Sequence, residues 1–292
     1  MRVSLDWVAD YVDLPPVAPR DLAHALTLKT VEVEDVLVLD GDAVLEIDNK
    51  SLTNRPDLWG HYGIARELAV IFDVPLRPLP RPRRPGPVQT VVGRLDPEIC
   101  QRFAALTLDL GEGEAVSPDW LRDRLVRVGQ GGVNLAVDLT TYVMLAVGQP
   151  MHAYDAGQLA GPLSAVRAGS VQPLLLLDGA TVQVMPRTPV IADEDGPVAL
   201  AGIMGGAASA IGPGTRRIVV EVATFRATPV RRAPRRSSAC VRRRPPGSRR
   251  PSTRSASTPR STSSSTCSAS WHPGPQWTGC RTSRWSPPGP RG

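Results

Sequence analysis

The side chains able to do chemistry in this 292-residue sequence gather between residues 137 and 221. Val137-Asp138-Leu139-Thr140-Thr141-Tyr142 leads through Gly148-Gln149-Pro150-Met151-His152-Ala153-Tyr154-Asp155. Further on stand Leu200-Ala201-Gly202-Ile203-Met204-Gly205-Gly206 and Val220-Glu221. Hydroxyl, imidazole and carboxylate groups are the types that bind polar ligands or move protons. A lone histidine beside Pro and Met serves packing more often than catalysis. The clustered glycines suit tight turns or close packing, because a phosphate cradle would need a following lysine or helix signal. No Walker loop, zinc template or Ser/His/Asp triad is present. The residues alone define a pocket and no reaction.

The elements around that cluster are predicted from periodicity. Ser117-Pro118 reads as an N-cap followed by proline at the first helical position, opening a helix through Trp120, Leu121, Leu125 and Val128. Residues 138–147 read as a second helix, and Phe103 to Leu110 as a strand. From Ser164 onward, short β-prone runs broken by Gly, Pro and Asp predict strands near 165–168, 174–177, 182–184, 190–192, 199–201 and 218–222. The region 88–232 is therefore expected to be an α+β domain with a mainly antiparallel sheet.

A smaller α/β domain is expected over residues 1–73. Asp6-Trp7-Val8 with Tyr11-Val12 has helical spacing, and Pro19-Arg20-Asp21 begins a second helix. Residues 31–39 and 43–48 alternate as strands around the turn Asp40-Gly41-Asp42, predicting a hairpin. Tyr62, Ala65, Leu68, Ala69 and Phe72 predict an amphipathic helix. Residues 74–87 (VPLRPLPRPRRPGP) read as a proline-rich linker.

Charge divides the chain. The net charge of +6 averages an acidic body, with 19 basic and 28 acidic residues in the first 225, and a tail with 15 arginines and no Lys, Asp or Glu. After Phe225 there is no Leu, Ile, Met, Phe or Tyr. Too little apolar surface remains to offset chain entropy, so residues 233–292 are expected to be a disordered Arg/Pro/Ser-rich tail. The four cysteines fit neither a disulfide framework nor a metal template. Met1 to Asp13 lacks a signal-peptide h-region, and no apolar run approaches the roughly 18 residues of a membrane helix. A cytoplasmic protein is expected.

Several of these motifs also resemble a known family. Residues 138–145 with 148–155, the run Ala199 to Gly206, the entry Cys100-Gln101-Arg102-Phe103, residues 45–72 and the opening Met1 to Trp7 are similar, in order, to the β subunit of bacterial phenylalanine–tRNA ligase. The resemblance implies that 88–232 is a tRNA-editing domain that hydrolyses tyrosine wrongly attached to tRNA(Phe). Glu221 matches the acid that recognises the tyrosine hydroxyl, His152 and Thr140 match catalytic-pocket residues near the ester, and Pro150, Gly202 and Gly205 match its walls. The logic is physical: an apolar synthesis site rejects an added hydroxyl weakly, and a second site with a polar partner for it reverses the preference.

Three departures from the pattern stand out. Thr141 occupies a substrate-binding position where the family usually has Asn. Between Leu39 and Ala43 the family carries an inserted oligonucleotide-binding barrel, replaced here by a hairpin. After Arg232 the family continues with a segment like Gly-Leu-Arg-Thr-Glu-Ala-Ser that closes the pocket, whereas this chain reads Ser237-Ser238-Ala239-Cys240. Loss of acids and aliphatics there suits translation in a shifted frame of GC-rich DNA, which predicts a Gly-Leu-Arg-Thr-like stretch in another frame of the gene. The family's later domains are expected to be missing, so no cofactor is expected here, ATP and magnesium belonging to the complete ligase. The expected partners are tRNA(Phe) and, weakly, a ligase α subunit, with no membrane. The alternative is a non-catalytic tRNA- or partner-binding remnant.

Overall fold

The computed structural model describes residues 1–48, 54–80, 92–111 and 115–236. Residues 81–87 of the proline-rich stretch and the tail beyond Arg236 lie outside them. The chain is a mixed α+β fold with mainly antiparallel sheets.

The amino-terminal region builds one three-stranded sheet. Strand β1 (Arg2–Ser4) is followed by α1 (Leu5–Val8), α2 (Pro19–Lys29), β2 (Val33–Leu39), β3 (Asp42–Ile47), a 3-10 turn (Pro56–Trp59) and α3 (His61–Phe72). The order is β1-β3-β2, antiparallel throughout. The hairpin expected at Asp40-Gly41 forms. Both residues have positive φ (50° and 84°), the backbone of the two-residue turn whose twist matches its strands. Helices α2 and α3 close over the sheet through Leu22, Leu26, Ile64 and Leu68, all buried.

The first helix is shorter than its apolar spacing suggests, a single turn ending at Val8. Ser4 caps it by accepting from the Trp7 amide (3.0 Å), and its hydroxyl donates to Asp42 Oδ2 (2.5 Å). The start of the proline-rich stretch does not leave this region. Leu76 bridges to Val12, and the Arg77 amide donates to the Tyr11 carbonyl (2.7 Å).

The rest of the chain builds the larger body. Its elements are β4 (Val92–Leu95), β5 (Cys100–Asp109), α4 (Asp119–Arg127), α5 (Leu135–Val147), β6 (His152–Asp155), β7 (Leu163–Arg167), β8 (Gln172–Leu175), β9 (Thr181–Val184), β10 (Pro189–Ala192), β11 (Pro197–Leu200), β12 (Met204–Gly205), β13 (Arg217–Phe225) and α6 (Ala227–Arg236). A five-stranded sheet runs β12-β11-β10-β7-β4, antiparallel except for β4 on β7. A three-stranded sheet runs β5-β13-β6, and β8-β9 form a separate hairpin. Between the two larger sheets, Tyr154, Leu163, Ile191, Ala199 and Val219 share one core.

Two helix starts differ from the sequence reading. Ser117 does not cap α4: Pro118 holds the cap position in extended conformation, and the helix begins at Asp119. The Ser117 hydroxyl donates instead to Asp138 Oδ2 of α5 (2.5 Å), tying the two helices together. Helix α5 begins three residues before Asp138, at Leu135, where Asn134 accepts from the Val137 amide. Helix α6 also runs past 232 to Arg236, into the stretch expected to be disordered.

The two regions are packed together. Trp7 stacks between His61 (3.9 Å) and Tyr142 of α5 (4.8 Å), above buried Leu121, Leu125 and Leu145. Gly148 ends α5 with φ +78°, and a Cβ there would stand 2.3 Å from the Pro56 carbonyl oxygen. Backbone meets backbone at that point.

Candidate functional site

A cavity of about 380 Å³ opens where the two larger sheets, α6 and the amino-terminal 3-10 turn converge. Its chemistry is set by strand pairing. Glu221 lies directly opposite His152 in the antiparallel pair β13–β6. Opposed residues in such a pair point to the same face, as does Tyr154, two residues beyond His152. Three polar side chains are thereby brought together on one buried sheet face.

Within that group the Tyr154 hydroxyl donates to Glu221 Oε2 (2.5 Å), and the His152 and Tyr154 rings meet edge to face at 4.4 Å. Tyr154 is fully buried, and Glu221 is only 6% exposed. Burial pushes the Glu221 carboxyl up to about 7, while the Tyr154 hydrogen bond pulls it back. The Tyr154 phenol is raised, first by burial and then by the Glu221 charge. Burial pulls His152 down to about 4, so its imidazole is neutral at physiological pH.

The walls of the cavity are mostly apolar. Pro150 and Met151 enter from the segment before β6, Gly202 from the β11–β12 turn and Gly205 from β12. A Cβ at Gly205 would lie 2.5 Å from His152 Cε1, so only the bare backbone leaves room for that ring. A Cβ at Gly202 would lie 3.0 Å from the Phe225 ring, with Val230 of α6 behind it at 3.5 Å.

The domain-family model described as B3/4 domain matches residues 99–241, from the start of β5 through α6 and beyond. The curated phenylalanine–tRNA ligase β subunit of Solibacter usitatus is 42% identical over 194 residues, 65% of this chain and 25% of that protein. The one from Rhodopirellula baltica is 36% identical over 241 residues, 81% of this chain and 35% of that protein. The chain is a phenylalanine–tRNA ligase β-subunit-like protein. It spans a quarter to about a third of the length of these relatives. Among solved structures, an amino-terminal fragment of the phenylalanyl-tRNA synthetase β subunit from Pyrococcus horikoshii covers 80% of this chain and 70% of that one. Its TM-score of 0.40 at 15% identity is too slight to carry argument.

The β-subunit-like chain brings five of the seven residues singled out from the sequence to one cavity: His152, Glu221, Pro150, Gly202 and Gly205. Thr140 and Thr141 are not among them. Both line a second cavity of about 190 Å³, separated from the first by Met151 and His152, which face both. The Thr140 hydroxyl donates to the Val137 carbonyl one turn earlier (2.9 Å), and Thr141 is buried in α5. A helix offers its residues to a neighbour in a stripe, and this stripe points to the far side of His152.

Sequence reasoning gave no role to four further groups at the large cavity. Tyr154 stood within the quoted motif, and its alternation with His152 was the signal that both share a face. Pro56 and Trp59 arrive from the amino-terminal region, and Arg231 from α6. Nothing local in the sequence announces those three. Among the described residues, no helix is long and apolar enough to cross a membrane.

Proposed function

We propose that the large cavity binds the tyrosyl group of mischarged tRNA(Phe) and that the chain hydrolyses its ester to the tRNA. Supporting this above all is Glu221, a carboxylate buried in an apolar cavity and able to accept from a substrate hydroxyl. Phenylalanine offers no such donor, so the carboxylate would be left under-bonded, and that asymmetry is what makes a polar partner selective. In the proposed step a water oxygen attacks the ester carbonyl carbon. The bond to the ribose oxygen breaks, and a proton passes to that oxygen as the tRNA leaves. Neutral His152 hydrogen-bonds and orients the water; with its basicity so reduced it positions the water and is a poor proton acceptor. The step draws on no metal or nucleotide.

On this reading, residues 1–73 form an amino-terminal domain and 88–232 the editing domain of a cytoplasmic protein. Its partners are tRNA(Phe) and, through other parts of the complex, a ligase α subunit. Aminoacylation is assigned to the complete enzyme.

A non-catalytic reading has one observation in its favour. The Thr140 hydroxyl is engaged by its own helix and faces the other cavity, away from Glu221. Deacylation of Tyr-tRNA and Phe-tRNA, both on the phenylalanine acceptor, separates the two. Preferential release of tyrosine, lost in His152→Ala, supports editing. Binding of the tRNA with no release above buffer supports the remnant.

A further inference from the structure

Tyr154 is the largest polar side chain buried at the cavity, and the proposed hydrolysis does not use it. Its hydroxyl is also the group that already holds the carboxylate meant to read a substrate hydroxyl. We propose that Tyr154 is a positioning residue for substrate selection: by occupying Glu221 Oε2 it turns Oε1 towards the cavity as the acceptor for one further phenol. This deepens, and rests on, the editing reading of the same cavity.

Geometry carries the case. A carboxylate has two oxygens, and one donor on Oε2 fixes the plane of the group while leaving acceptor capacity on the other. The donor itself is immobile: the Tyr154 ring is fully buried among Leu163, Ile191 and Val219 and meets His152 edge-on. Strand pairing then fixes the separation, since Tyr154 sits diagonally from Glu221 across β6–β13. Without the Tyr154 hydroxyl the Glu221 side chain would be free to rotate, and a neutral carboxyl could spend its own proton on any acceptor, losing the preference for a donor. Tyr154 thus keeps Glu221 oriented and favours its ionised form.

Among the described residues, few other groups near Glu221 could do this. From β6 the titratable groups facing Glu221 are His152 and Tyr154, and from β5 the buried Cys100 thiol, whose ionisation is disfavoured by burial and by the Glu221 charge. Arg231 of α6 lines the same cavity. Burial pushes the Glu221 carboxyl up, and the Tyr154 hydrogen bond is the opposing influence. Removing that hydroxyl therefore raises the carboxyl further, and the ionised fraction at neutral pH falls.

The test is Tyr154→Phe, isosteric apart from the hydroxyl, in the full chain beside wild type and Glu221→Gln. Two readouts are taken: steady-state deacylation of Tyr-tRNA and Phe-tRNA across pH 6 to 9, and the titration of the Glu221 carboxyl by 13C NMR on glutamate-labelled protein, assigned by its absence in Glu221→Gln. The expected result is about a tenfold fall in the tyrosine-over-phenylalanine ratio of kcat/KM, carried mainly by KM, the scale of one lost charge-assisted hydrogen bond. The Glu221 titration should move up, and residual selectivity should recover towards high pH. An unchanged ratio overturns the proposal whatever the titration shows, and so does a titration that stays put. If wild type releases neither ester, the editing reading fails, and binding of tyrosinamide against phenylalaninamide then decides the inference. A tyrosinamide preference that Tyr154→Phe abolishes sustains it; no preference in wild type, or one that survives the substitution, overturns it.

Discussion

The Nδ1–H of His61 donates to the carbonyl of Leu145 over 2.7 Å, while its Nε2 accepts from the Ser4 amide at 3.1 Å. Because a backbone N–H can only donate, Nε2 must be unprotonated and the ring is held as the neutral Nδ1–H tautomer. One side chain so joins the first strand of the amino-terminal region to the helix that precedes Pro150 and His152.

Protonating His61 would turn an acceptor into a donor facing another donor. Burial holds it down to about 3, far below its usual value near 6.5, and His152 sits near 4 for the same reason. Depressed histidines contribute stability that is complete above pH 6.5 and is lost as pH falls through the window from 6.5 towards 3. In Glu221→Gln, which removes the opposing titration of that buried carboxyl, urea unfolding should show a lower midpoint at pH 5 than at pH 7. His61→Ala should cost about 3 kcal/mol at pH 7 and leave a shallower acid-side loss, with His152 accounting for the remainder. Equal midpoints for Glu221→Gln at the two pH values would contradict this.

Glu221→Gln separates stability from function. The contribution of the raised carboxyl to stability is lost as pH climbs from about 4.5 through about 7, since the buried group must then ionise, and it opposes that of the two histidines. At pH 8 the glutamine variant should melt at least as high as wild type and higher by about 1–3 kcal/mol of unfolding free energy. Its tyrosine preference in deacylation should fall about tenfold or more. Calorimetry at pH 5 and pH 8, alongside the ester assay, reads both.

Gly205→Ala places a methyl group where His152 now stands. The ring can swing away, so the expected loss in stability is about 1–2 kcal/mol. The orientation of His152 is what suffers, and ester hydrolysis should fall about a hundredfold, the usual penalty for an ångström of misplacement. The His152 ring resonances provide an independent check, since they must shift if the ring has moved.

Gly148→Ala and Gly41→Ala form a matched pair. Both glycines have positive φ, 78° and 84°, but Gly41 has nothing within 4 Å of its missing Cβ. Alanine at 41 should cost about 1 kcal/mol, from backbone strain alone. At 148 the same strain adds to a clash with the Pro56 carbonyl, and a loss of about 3 kcal/mol or more is expected. Similar denaturant midpoints for the two variants would show that the regions do not meet there.

Much of the fold was legible from local pattern. The Asp40-Gly41 hairpin, α2, α3 and most strands after Ser164 follow from turn chemistry and from apolar periods of two or three to four. Misreadings fell where a tertiary partner outbid a local one. Ser117 looked like a cap, but the Asp138 carboxylate is the stronger acceptor for its hydroxyl. Strand β6 was not foreseen because its four residues become a strand only by pairing with β13. The run Asp6 to Val12 has helical spacing, yet the segment after Val8 is drawn instead towards Leu76 and Arg77.

The motifs alone were enough for family resemblance, for the candidate residues and for the α+β class, because each rests on short, ordered stretches of chain. Their arrangement was beyond reach of any local pattern. His152 and Glu221 are 69 positions apart in the sequence, and the β6–β13 register sets them side by side. The same packing sends Thr140 and Thr141 to the other face of His152 and brings Pro56 and Trp59 from the amino-terminal region to the cavity wall. Burial, finally, is a property of the whole fold. Excluding water from around Glu221 raises its carboxyl, and the Tyr154 hydroxyl beside it is the donor that opposes that rise.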